Sequence, residues 1–217
     1  MMIENVSNFD DESWGPKAEK ISIWHFDPTI VDKEEDVFMK VCNFDLDFDE
    51  DLKKAKENIQ PTVTHHTEFW SGIGYPEGVP ITDSSFKFDL SKYPNFKEIV
   101  DRLGLVEHEE FDIKVKLFCQ RPGQMLPTHI DNYKKASEEK TSEIALTALR
   151  FVVALNDWDI GHYWHFGNAV WKQWKKGDCV HWHRTMAHGT ANTGHSDRLS
   201  LQITGIPSEK TFKLIHS

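Results

Sequence analysis

Cysteine is scarce in this chain, with three in 217 residues at Cys42, Cys119 and Cys179. An odd, dispersed trio without Cys-x-x-Cys spacing argues against a disulfide framework and a cysteine-based zinc site. It makes a reducing cytoplasm the expected compartment and buried, inert thiols the expected state of Cys119 and Cys179. No run of about 18 apolar residues occurs, so no transmembrane helix is expected. The first eleven residues carry acids and no apolar stretch, unlike a secretory signal. Cations are in deficit, 25 Lys and Arg against 35 Asp and Glu for a net charge of −10. A surface of that sign argues against nucleic-acid or anionic-membrane partners. What is present is 39% apolar and 12% aromatic residues. That suffices to bury a core in one domain and excludes wholesale disorder.

The chain changes character near residue 110. The spacing predicts a strand over 20–25 and a helix over 49–60. Before that helix, Asp45, Asp47 and Asp49 alternate as in a calcium loop. The sixth position is Glu50 where glycine is needed, and the twelfth is Lys56 where a bidentate glutamate is needed. The run therefore reads as a solvated face or a helix N-terminus. Residues 62–83 are rich in Gly and Pro around His65, His66 and Trp70, a loop for which substrate contact is one reading. A short amphipathic helix is expected over 95–103, ended by Gly104. From 111 onward the pattern is short strands with turn punctuation: 111–119, 149–155, 163–166, 179–183 and 198–206. The stretch 134–142 reads as an exposed loop or short helix. The expected fold is mainly β (α+β): residues 1–110 form an N-terminal elaboration of helices and loops, and 111–217 a rolled β core, within one compact domain.

Three His-x-Asp tripeptides occur, at His25, His129 and His195. In a strand, residues i and i+2 point the same way about 6–7 Å apart, so an imidazole and a carboxylate can converge on one ion. Only His129 and Asp131 are followed, in strand-like context, by the other parts of a site. His188 lies 57 residues beyond Asp131, and after a nine-residue connection a strand opens with Arg198. If these strands are antiparallel neighbours, Arg198 reaches the vicinity of His188. His25 reads as a strand end before Pro28, and His195 as surface. Two histidines and one carboxylate leave coordination positions open, the arrangement of non-haem Fe(II) oxygenases. Two open positions suit a 2-oxo acid and a third suits O2. The far carboxylate of such an acid needs a fork-shaped cation, which Arg198 supplies, with Ser200 on the same strand face.

Together, Arg121-Pro122-Gly123, His129-Ile130-Asp131, Gly177-Asp178, His188 and Arg198-Leu199-Ser200 resemble the 2-oxoglutarate/Fe(II)-dependent dioxygenases over residues 111–206. From Leu149-Arg150-Phe151 to His188, with Trp171, Trp174, Gly177 and Asn192, the chain is most similar to the aspartyl/asparaginyl β-hydroxylase branch. Some members of that branch lack the metal carboxylate, whereas Asp131 is present here. The resemblance implies a double-stranded β-helix (jelly-roll) core. It also implies Fe(II) held by His129, Asp131 and His188, and 2-oxoglutarate held by Arg198 and Ser200. The implied reaction is hydroxylation of a peptidyl side chain or small amino-acid-like substrate, coupled to decarboxylation of 2-oxoglutarate to succinate and CO2.

Other residues leave choices open. Arg150 can face the cavity or cap the sheet edge. His181 and His183 suggest packing or hydrogen bonding rather than a second metal site. Trp158, Trp164, Trp171 and Trp174 suggest an aromatic core between sheets, with a substrate wall as the alternative. Competing with the oxygenase are a cupin-like metalloenzyme that does not use 2-oxoglutarate, in which Arg198 has no role, and a non-enzymatic jelly-roll binding module.

Overall fold

Period-two alternation of apolar residues builds the larger of two sheets in the computed structural model, which describes residues 39–59, 83–85, 89–129, 143–167, 169–183 and 186–216. Its strands are β1 (Met39–Asn43), β2 (Asp83–Ser85), β3 (Leu105–Val106), β4 (Lys114–Gln120), β6 (Leu149–Ala154), β9 (Asp178–His181) and β11 (Arg198–Pro207). The order is β1-β9-β6-β11-β4-β2, with β3 pairing the end of β11. The smaller sheet runs β5-β10-β7-β8, from β5 (Met125–His129), β7 (His162–Phe166), β8 (Ala169–Trp171) and β10 (His188–Asn192). From β4 to β11 the chain passes back and forth between the two sheets. Every pairing is antiparallel. That winding is the double-stranded β-helix expected from the sequence.

The two faces of the larger sheet serve different ends. One carries Val115, Leu117 and Cys119 of β4, Phe151 and Val153 of β6, and Leu199, Leu201 and Ile203 of β11, all buried. Against it pack α1 (Asp49–Lys56) and α2 (Pro94–Leu103) through Phe48, Phe96, Ile99 and Leu103. The near-continuous apolar run of β6 follows from its position, since Val152 and Ala154 face the other way, into a second cluster with Trp164, Phe166, Trp171, Trp174 and Trp182. That cluster fills the space between the sheets, as anticipated for the tryptophans.

Several expected elements appear with trimmed ends. The helix expected over 49–60 ends at Lys56. The one expected over 95–103 begins a residue earlier, at Pro94, and closes at Gly104, whose φ of 70° suits glycine. Part of the acidic run is structural. Buried Asp51, in the first turn of α1, accepts hydrogen bonds from the Asn95 and Phe96 amides, 2.7 and 3.0 Å away, at the N-terminus of α2. Gly177 (φ 88°) makes the expected turn before β9, where a Cβ would lie 2.3 Å from the Phe44 carbonyl oxygen. Two short helices, α3 (Glu143–Thr147) and α4 (Glu209–Ile215), were not anticipated. The connection expected from His188 to Arg198 is instead strand β10 followed by a short turn, with β10 and β11 in different sheets rather than paired as antiparallel neighbours. The strand expected over 20–25 lies outside the described residues, as do the 134–142 stretch, His25, His65, His66, Trp70 and Asp131. No helix among the described residues is long and apolar enough to cross a membrane.

Candidate active site

His129 closes β5 and His188 opens β10, and pairing of these strands sets the two residues opposite each other. Their rings lie 4.3 Å apart, centroid to centroid, at 51°. Each ring is oriented in the same manner. His129 Nδ1 donates to the Pro127 carbonyl at 2.8 Å, and His188 Nδ1 donates to the Met186 carbonyl at 2.9 Å. A donor commitment at Nδ1 leaves Nε2 of each ring with its lone pair, the state and orientation that metal-binding histidines require. Burial lowers the pKa of His129 to about 4 against the opposing pull of the Pro127 carbonyl, with Arg150 and His165 adding to the fall. Burial also holds His188 well below the ordinary histidine value, and the neighbouring His129 adds to this. Both imidazoles are therefore neutral near pH 7. No cluster of three His, Cys, Asp or Glu side chains occurs among the described residues. Asp131, the carboxylate expected to join the histidines, is outside them.

Between the sheets, a narrow cleft is lined by residues that include His188 and Arg198. Its walls include Phe118, Val152, Trp164, Trp182, Thr190 and Ser200. Arg198 and Ser200 sit two residues apart on β11 and both line it, as the strand period requires. The arginine is held from two sides: its Nε donates to Gln120 Oε1 at 3.0 Å, and its guanidinium lies 4.6 Å above the Trp164 ring. Its Nη1 is buried and finds no hydrogen-bond partner among the described residues, and the indole Nε1 groups of Trp164 and Trp182 share that condition. Burial pushes the Arg198 pKa down to about 9, a sign of a cation deprived of water. Buried donors seldom go unmet, and a buried charge without a partner is costly. Three such donors on residues lining one cleft suit an anionic ligand with several acceptor oxygens. A dicarboxylate is one ligand of that kind, and the two neutral imidazoles beside the cleft are two of the donors a metal would need.

Sequence reasoning missed Gln120 and Thr190. Gln120, fully buried at the end of β4, donates through Nε2 to Thr190 Oγ1 at 2.9 Å while accepting from Arg198. It thus ties the larger sheet to the smaller one beside the histidine strand. Only its place on the polar face of an alternating strand hinted at this. Asn192 holds the connection ahead of Arg198, donating to the Gln120 and Ser196 carbonyls and accepting from the Gly194 amide. Arg150 shares a face of β6 with Val152, donates from Nε to Thr204 Oγ1 at 3.2 Å, and is not among the residues lining the cleft. His181 donates from Nδ1 to the Arg150 carbonyl at 2.9 Å and packs on Phe151. His183 is exposed beyond the end of β9. Of the tryptophans, Trp164 lines the cleft as well as the core, and so does Trp182, which the sequence reading did not single out.

No protein-family model matches this chain, and no curated protein matches it. Solved structures do. The non-haem α-ketoglutarate-dependent epimerase SnoN from nogalamycin biosynthesis is 13% identical, with a TM-score of 0.53 over 82% of this chain and 83% of its own. The α-ketoglutarate-dependent carbocyclase SnoK from the same biosynthesis is 12% identical, with a TM-score of 0.50 over 83% of each chain. A Klebsiella pneumoniae protein with a double-stranded beta-helix domain is a more distant match, 15% identical with a TM-score of 0.38 over 71% of this chain and 88% of its own. At such identities SnoN and SnoK bear on the fold alone.

Proposed function

We propose that this chain is an Fe(II)- and 2-oxoglutarate-dependent oxygenase, nearest in kind to the aspartyl/asparaginyl β-hydroxylases. Its substrate is a peptidyl side chain or a small amino-acid-like molecule. The observation that carries this reading is the pairing of His129 and His188, each with Nδ1 committed to a backbone carbonyl, beside a cleft lined by His188, Ser200 and Arg198, whose Nη1 has no hydrogen-bond partner among the described residues. SnoN and SnoK, whose folds match, are described as α-ketoglutarate-dependent, which agrees with it.

In this reading, His129 and His188 bind the metal through Nε2, and Asp131 contributes its carboxylate two residues along from His129. Arg198 and Ser200 bind the far carboxylate of 2-oxoglutarate, Arg198 by charge and Ser200 by its hydroxyl. Gln120 keeps the guanidinium from turning away. Trp164 and Trp182 close the walls and exclude water, which strengthens the charge interactions inside. When bound, iron with 2-oxoglutarate and O2 supplies the oxidation of a C–H bond, coupled to loss of CO2 and formation of succinate. No protein nucleophile or separate general base is called for.

The test is optical. Anaerobic Fe(II) with 2-oxoglutarate gives the weak visible charge-transfer band of a chelated 2-oxo acid, and His188→Ala removes both the band and slow substrate-free succinate formation. A colourless mixture at saturating ligand overturns the proposal.

A further inference from the structure

Cys42 and Cys179 are 137 positions apart in the chain and face each other directly across the β1–β9 ladder. They are the closest approach of two thiols the strand register creates: Cys119 is opposite Leu199 on one side and Asp83 on the other. Directly opposed residues of an antiparallel pair have Cα atoms about 4.5–5.5 Å apart, inside the window of roughly 4.4–6.8 Å that a disulfide tolerates. Directly opposed residues of a ladder project to the same face, and both thiols are on the side of the apolar cluster in which Cys179 is buried and against which Cys42 packs. The ladder irregularity between Lys40 and Cys42 leaves β1 room to adjust. Around the pair the strands are clasped: Lys40 forms an ion pair with Asp178 at 2.8 Å, and Asn43 donates to the same carboxylate at 2.8 Å.

The two thiols are unequal. Cys179 is fully buried, whereas Cys42, on the strand that ends the sheet among the described residues, is partly accessible. A hydrogen bond donated by the Cys179 thiol lowers the Cys42 pKa, helped by Arg102 and Lys40 and opposed by burial and Asp178. Burial, then the bond to Cys42, holds the Cys179 thiol well above the usual range. One sulfur is thus placed to attack and the other to resolve.

We propose that Cys42 and Cys179 form a reversible dithiol–disulfide site that takes hydrogen peroxide as its oxidant, with Cys42 the attacking and Cys179 the resolving residue. The Cys42 thiolate attacks one peroxide oxygen. An S–O bond forms, the O–O bond breaks, and the departing hydroxide takes up a proton as water. The Cys179 sulfur then attacks the Cys42 sulfur. An S–S bond forms, the S–O bond breaks, and the hydroxide released leaves as water with the proton of Cys179. Two thiols lose two electrons and one peroxide becomes two waters. The product pins β1 to β9, the strand that runs on into Trp182 of the cleft wall. Directly opposed Cβ atoms must close by roughly 1 Å to make this bond, which favours ready reduction. The site is independent of any metal bound at His129 and His188.

The full-length protein, treated with hydrogen peroxide and alkylated without reductant, is expected to lose two of its three titratable thiols. Peptide mapping is expected to give a Cys42–Cys179 cross-linked species lighter by two hydrogens, cleaved by dithiothreitol. In Cys179→Ser, Cys42 is expected to stop at a sulfenic acid trapped by dimedone; in Cys42→Ser, Cys179 is expected to stay unmodified; and Cys119→Ser is expected to cross-link as the wild type does. Retention of all three thiols, or a cross-link found only between two molecules, overturns the proposal. Neither result bears on whether 2-oxoglutarate binds.

Discussion

Gln120 accepts the Nε proton of Arg198 at 3.0 Å and in turn donates to Thr190 across the gap between the sheets. One amide therefore uses its acceptor to aim the cation that lines the cleft and its donor to join that cation to the strand that carries His188. Replacing it with Met keeps the bulk and removes both bonds, leaving buried groups unmet at about 1–3 kcal/mol. Gln120→Met is expected to weaken 2-oxoglutarate binding about five- to tenfold while leaving the affinity for Ni(II) unchanged. Calorimetric titration with 2-oxoglutarate and a metal titration measure the two separately, and an equal loss of both would assign Gln120 to general stability.

Arg198→Ala is expected to raise the 2-oxoglutarate requirement at least ~10-fold, the loss of a charge-assisted pair worth about 1.5–3 kcal/mol. Lysine is expected to restore only part of it, because a point charge does not present the fork that a carboxylate accepts. Substrate-free succinate formation against 2-oxoglutarate concentration reads the change.

Acid is expected to unfold the metal-free protein in a way that His129 contributes to directly. Its folded pKa is about 4, below the ordinary value of about 6.5, because burial disfavours the imidazolium. The unfolded chain therefore binds more protons there, and stability rises with pH through that window. The contribution is present above about pH 6.5 and is lost as the pH falls toward 4, on the order of 3 kcal/mol in all. Melting temperatures in chelator between pH 7 and 4.5 are expected to fall less steeply for His129→Asn than for the wild type. Parallel slopes would show that the ring is not desolvated as described.

Asp51→Ala is expected to cost about 1–2 kcal/mol, since one buried carboxylate caps two amides at the start of α2. Urea midpoints at an unchanged slope report it. Asn at the same position keeps an acceptor oxygen and is expected to recover part of the loss.

How much of this was legible beforehand differs between strands and site. The alternation of Leu199, Leu201 and Ile203 against Arg198, Ser200 and Gln202 predicts β11 and its two faces, because a strand sends neighbouring side chains to opposite sides. Gly104 marks the end of α2 because few other residues take its positive φ. The helix expected to run to residue 60 ends at Lys56, just before Asn58 turns its side chain back to donate to the Lys54 carbonyl. His129 and His188 stood out only as candidates among 12 histidines. What singles them out in space is a ladder partnership between segments that share no local signal.

Amino-acid order alone marked the longer strands of the rolled core, such as β4, β6 and β11, and their apolar faces, and showed that the molecule is rich in acid yet carries an arginine at the start of an alternating strand. The short strands β1, β2, β3, β8 and β10 left no such mark. Which residues meet was decided by inter-strand register. A ladder is held by backbone hydrogen bonds common to every residue, so partners such as Gln120 and Thr190, or Cys42 and Cys179, leave no mark on the sequence around them. They become neighbours only when burial of the two apolar faces fixes how the strands align.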